Sequence, residues 1–154
     1  MLNKRMLSGL FYILFSVLLT QSLSAETADN YSPYPGVLVA KLVAIHSPSN
    51  IELSAQTWPG YRRNFSISLK AIETPEISPD VDICQRKLAE KTLAFIKDFL
   101  EKAKKIEIHD MTMKTSSDKN AKADIYSEQG SLSKALLNQG LARPIDTPPN
   151  KPWC

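Results

Sequence analysis

The clearest helical period in this chain, Leu88, Thr92, Phe95, Ile96, Phe99 and Ala103 at spacings of three and four, falls between runs that read as strands. Strands first, then a helix, two more strands and a last helix describe an α+β domain. For five strands a small twisted barrel is the expected closure. Asp82 can cap the long helix, with Gln85 three residues on in a capping-box arrangement, and Lys102, Lys104 and Lys105 crowd its C-terminus where the macrodipole favours cations.

The strands are read from period two and from breakers. Residues 37–45 are β-branched and apolar with one Lys, which predicts a largely buried strand. His46-Ser47-Pro48-Ser49-Asn50 is a turn, residues 51–55 begin a second strand, and Trp58-Pro59-Gly60 is another turn. Across residues 63–72, Phe65, Ile67 and Leu69 point one way and Asn64, Ser66, Ser68 and Lys70 the other, a half-buried strand that ends at Glu73-Thr74-Pro75-Glu76. Residues 106–111 and 123–126 supply two more strands. Ser131 opens a final helix through Gln139, and Gly140 sits where a left-handed C-cap is wanted. Residues 144–154 hold four prolines, so an extended tail is expected rather than a helix or a ladder.

Residues 1–25 read as a secretory signal peptide: Lys4 and Arg5 precede an apolar run over residues 10–19, and Ser22-Leu23-Ser24-Ala25 offers small residues for cleavage before Glu26. An uncleaved anchor is the alternative, but the run is short for a bilayer core of about 30 Å. Lys4 and Arg5 are two of the 19 basic residues and the leader holds none of the 16 acidic ones, so the mature chain carries 17 against 16, a net charge of +1. Global charge therefore makes no case for nucleic-acid binding, and any basic site must be local. Residues 26–35 are polar with two prolines and read as a flexible lead-in; residues 36–154 form one domain, expected to be a monomer in the periplasm or outside the cell, free of the membrane once the leader is removed. Cys84 and Cys154 both lie in the exported part, where an even pair reads as one disulfide, two free thiols being the alternative.

Three local signatures in this order resemble the staphylococcal nuclease, or thermonuclease-like, family of OB-fold barrels. They are Ile72-Glu73-Thr74-Pro75-Glu76, similar to that family's Ile-Asp-Thr-Pro-Glu segment; Cys84-Gln85-Arg86 leading a helix that ends in Ala103-Lys104-Lys105-Ile106-Glu107; and the closing helix within residues 130–142. The terminal Trp153-Cys154 resembles exported members that tie the tail to the first helix. The resemblance covers residues 36–154 and implies a five-stranded OB-fold barrel with two to three helices.

It also implies phosphodiester cleavage with a calcium ion held by two aspartates and a threonine carbonyl, a glutamate as general base, and two arginines that neutralise the phosphate. Carried over, Thr74 takes the carbonyl ligand position and Glu76 the general base. Glu73 replaces the ligand aspartate, one methylene longer. His46-Ser47-Pro48-Ser49-Asn50 stands where the other aspartate should lie and holds no carboxylate, although Asn50 or Ser49 offers a neutral oxygen. The first arginine position falls on Ser68, with Lys70 two residues on. The second falls on Lys122 or Asn120, so no guanidinium is offered at either. Thr-Pro-Glu also fits an ordinary helix start, which leaves a capping role for these residues open.

The remaining residues add little chemistry. His46 and His109 lack zinc-ligand spacing, and no Gly-x-Ser-x-Gly elbow exists. Trp153 reads as a plug beside the bridge, with base stacking as the alternative. Two functions follow: a nuclease-derived binding module with impaired chemistry and weak calcium affinity, taking single-stranded nucleic acid, another phosphate-bearing ligand or a protein; or a secreted metal-dependent endonuclease that uses Glu73, Glu76, Lys70 and Lys122.

Overall fold

The computed structural model describes residues 32–33 and 36–154, and the expected leader lies outside the described residues. In chain order the elements are β1 (Ser32–Pro33), β2 (Leu38–Ser47), β3 (Asn50–Trp58), β4 (Tyr61–Leu69), β5 (Ile72–Glu73), α1 (Ile83–Glu101), β6 (Ile106–Met113), β7 (Asn120–Ser127), β8 (Gly130–Ser131), α2 (Leu132–Asn138) and β9 (Arg143–Pro144). Strands β2, β3, β4, β7 and β6 pair in a ring that closes on itself, antiparallel at every seam except β4–β7, which is parallel. This is an α+β fold built on a five-stranded, OB-fold-like barrel with two helices.

Alternation along the strands builds the core. Ile51, Leu53 and Ala55 on β3, Phe65 and Ile67 on β4, Ile108 on β6 and Ala123 and Ile125 on β7 all have 0% exposure. Each large apolar side chain so buried contributes about 1.5–3 kcal/mol of transfer free energy. Ile96, Phe99 and Leu100 of α1 and Leu132 and Leu136 of α2 join the same cluster. The buried Thr92 hydroxyl lies 2.9 Å from the Leu88 carbonyl and 3.0 Å from that of Leu141, which ties α1 to the segment after α2.

Both helices start where their caps dictate, and α2 also stops at one. The Asp82 carboxylate accepts the Gln85 amide at 2.9 Å, and Ser131 Oγ accepts that of Lys134 at 3.3 Å. After α2, Gly140 turns to φ +65°, and Gly140 and Leu141 donate back to Leu137 and Leu136 in a Schellman arrangement.

Five expectations need correction. The run at residues 37–45 is buried on one face only: Leu38 and Ala40 point inward, while Val37, Val39 and Val43 are 51%, 48% and 48% exposed. A barrel wall has an outer face, and these valines stand on it, with α1 approaching only near Val43 through Leu93, Lys97 and Glu101. The strand expected over residues 63–72 stops at Leu69, because Ala71 adopts φ +59° and redirects the chain so that Ile72–Glu73 pairs with Arg143–Pro144. The tail is thus partly laddered; Pro144 sits at an edge, and the Ile145 amide supplies the bond to Ala71 O that a proline lacks. The turn at residues 46–50 shrinks to Pro48-Ser49, with His46, Ser47 and Asn50 drawn into strands. Finally, Ser32–Pro33, within the expected lead-in, pairs with Thr112 and Met113 at the end of β6.

Candidate functional site

Thr74, Glu73 and Glu76 share one cleft of about 390 Å³, which lies where the β2–β3 turn, the end of β4, β5 and the C-terminal tail meet. Pro48 and Ser49 reach it from the turn, Ser68 and Leu69 from β4, Gln85 from α1, and Arg143 and Trp153 from the tail. Pro48 is buried there, so an apolar ring occupies the turn that the family resemblance assigns to a ligand carboxylate. Asn50, the other oxygen considered, is turned away: its Oδ1 accepts from Ser66 Oγ, and it lines a different recess with His46, Glu52 and Asn64.

Register fixes the central contact. Glu73 and Arg143 are cross-strand partners between β5 and β9. Nε and Nη2 of Arg143 both lie 2.9 Å from Glu73 Oε2, and Nη1 donates to the Lys151 carbonyl at 2.6 Å. The guanidinium carbon sits 4.2 Å from the Trp153 ring centroid, a cation–π stack. The chain ends in the expected bridge, Cys84–Cys154, with Cα atoms 6.3 Å apart. A disulfide of this kind suits an oxidising compartment.

A guanidinium therefore enters the cleft from the far end of the chain, where the sequence reading expects none. No local signal marks it, because the pairing joins residues 70 positions apart. Its effect is double-edged: it puts a planar cation beside the cleft and at the same time neutralises the carboxylate cast as a metal ligand. The side chains of Arg143 and Glu73 are 17% and 39% exposed, so the pair is partly shielded from water.

The expected lysines are not brought into the cleft. Lys70 lies just before the Ala71 kink, and its Nζ donates to the Asp110 carbonyl, where β6 bulges with Asp110 at φ +51°. There it faces Asp124, whose carboxyl is pushed up by burial and by the nearby Asp110, while Lys70, the Ser133 hydroxyl and His109 pull the other way. Lys122 sits in parallel register with Ser68 on the outer wall, exposed, and is not among the residues lining the cleft.

The fit to a hard divalent cation is poor. Such an ion wants several anionic oxygens. The cleft offers Glu73, already bound to Arg143, and the exposed Glu76. Among the described residues the only group of three His, Cys, Asp or Glu side chains close enough to share an ion is Asp82 with Cys84 and Cys154, whose sulfurs are spent in the disulfide. Thr74 Oγ1 is buried and meets no hydrogen-bond partner among the described residues, so its hydroxyl serves neither a turn nor a cap. The helix starts at Asp82, eight residues later, which removes the capping role for Thr74-Pro75-Glu76.

No protein-family model matches this chain, and no curated protein matches it.

Proposed function

We propose that this chain is an exported relative of the staphylococcal nuclease family that has kept the barrel and lost efficient phosphodiester cleavage, and that it works as a binding module in the periplasm or outside the cell. The observation that carries this reading is the Arg143–Glu73 pair: the carboxylate that aligns with a calcium ligand is held by a guanidinium on one side, with buried Pro48 in place of the second ligand turn. Losing one preorganised charge-stabilising donor typically costs about a hundredfold or more in rate. Here both arginine positions hold other residues, and Lys70 is committed to Asp110.

What remains suits recognition of an anion-bearing ligand rather than its cleavage. Arg143, Ser49 and Ser68 border a cleft large enough for a phosphate and its substituents. A second reading, a metal-dependent endonuclease with an altered site, draws on the juxtaposition of Glu73, Thr74 and Glu76 with a guanidinium in that same cleft. Incubation of the purified protein with denatured DNA and RNA, in excess calcium and then manganese, separates the two. The binding reading expects no cleavage above a Glu76→Gln control. Turnover abolished by Glu76→Gln would establish the enzyme.

A further inference from the structure

We propose that the tip of the β3–β4 hairpin binds single-stranded nucleic acid, with bases stacking on Trp58 and Tyr61 and phosphates meeting Arg62, Arg63 and Lys119. Trp58 and Tyr61 face each other in register across the Pro59-Gly60 turn and are 73% and 61% exposed. Lone exposed apolar residues are ordinary. What sets this pair apart is the surface on either side of it.

On one flank a recess of about 270 Å³ is lined by Val37, Val39, Gln56 and Trp58, where Val39 on the outer wall of β2 and Val37 just before it are half-exposed. On the other flank a cleft of about 550 Å³ is lined by Thr57, Tyr61, Arg63, Ser117 and Lys119. Arg63 donates to the carbonyls of Ser116 and Asp118 and lies 5.0 Å from the Phe65 ring centroid, so its guanidinium is ordered before any ligand arrives. Arg62 donates to Ser54. These partners are neutral. Among the described residues neither arginine nor Lys119 forms an ion pair with a carboxylate, in contrast to Arg143, Lys97, Lys102 and Lys105. No carboxylate therefore lies within ion-pair distance of these three cations among the described residues.

An apolar patch alone suits a protein partner, and a cationic patch alone suits any polyanion. Unpacked aromatic rings beside ordered guanidinia select a strand whose base faces are free, since stacking needs the π-face and charge needs the phosphate. A duplex hides its base faces and fits this surface poorly. The surface is also separate from the Arg143 cleft: β3 runs from Asn50 to Trp58, a span of roughly 26 Å at about 3.3 Å per residue. The inference stands whether or not the cleft is catalytic.

Fluorescence anisotropy of labelled oligothymidylate, titrated with the full disulfide-bonded protein at low and moderate salt, tests the proposal. Stacking contributes about 1–3 kcal/mol per base, so Trp58→Ala should weaken binding at least about fivefold. Trp58→Phe should recover part of the loss, and Arg62→Gln should flatten the salt dependence. Inorganic polyphosphate, which has charge but no bases, should compete in a way that Trp58→Ala leaves unchanged. No binding at low salt, binding indifferent to Trp58→Ala, or equal loss of polyphosphate binding in that variant would overturn it. So would self-association abolished by Trp58→Ala without any oligonucleotide affinity, which would assign the patch to a protein partner.

Discussion

Replacing both bridge cysteines, Cys84→Ser with Cys154→Ser, should destabilise the domain far more than any contact in the tail accounts for. The bridge joins residues 70 positions apart. Cross-linking a loop of that length removes about 15 cal/mol/K from the unfolded chain, or about 4.4 kcal/mol at 25 °C. A domain of about 120 residues unfolds with an entropy near 250 cal/mol/K, so the midpoint should fall by about 17 °C. Urea unfolding followed by circular dichroism should also show a steeper slope, because an unbridged unfolded chain exposes more surface. A parallel Trp153→Ala variant with the bridge intact isolates the packing of the tail on Arg143; losing the cation–π stack should cost only about 0.5–2 kcal/mol. If the double serine variant loses under about 1 kcal/mol, or no more than Trp153→Ala, the chain-entropy argument is wrong for this domain.

Other perturbations probe the cleft and the barrel wall. Arg143→Met removes both the charge and the planar fork; a double-mutant cycle with Glu73→Gln should give a coupling of about 0.5–1 kcal/mol for this partly exposed pair, and a coupling near zero would show that the contact carries no stability. Thr74→Val removes a buried hydroxyl that meets no partner, so thermal unfolding should find it neutral or up to about 1 kcal/mol more stable; a clear loss would mean that the hydroxyl is hydrogen-bonded in solution. Burial and Asp110 hold the Asp124 carboxyl above its ordinary range, so the folded state binds that proton more tightly than the unfolded one. The resulting stability is present below the usual carboxylate pKa of about 4 and is lost as pH rises through the folded value. Asp124→Asn should therefore be at least as stable as the parent at pH 7, with its advantage shrinking toward pH 3.5; an advantage that grows on acidification would refute the sign.

Much of the barrel is legible in the sequence because period two is a direct imprint of a wall with one dry face. Phe65, Ile67 and Leu69 point to the core as their spacing dictates, and Asp82, Ser131 and Gly140 act at helix ends as their chemistry dictates. Local rules fail where a long-range pairing overrides them. Val37, Val39 and Val43 read as buried because composition cannot say how many faces of a strand are covered. Lys70 reads as a neighbour of the site because it follows Ser68 by two residues, but the strand ends at Leu69 and the ammonium turns to the Asp110 carbonyl. Arg143 was invisible: a guanidinium in a proline-rich tail carries no mark of the carboxylate it meets across β5–β9.

The single parallel seam has a consequence for how this chain reaches its fold. Ser66 must find Asn120, 54 positions away, and α1 and β6 both lie between them. Local order in α1 or in the β3–β4 hairpin cannot bring those strands together, so the ring shuts late, and until it does β4 and β7 present unpaired rims to other molecules. Refolding should accordingly proceed over milliseconds to seconds and lose yield as concentration rises; stopped-flow traces complete within microseconds would contradict this order of events.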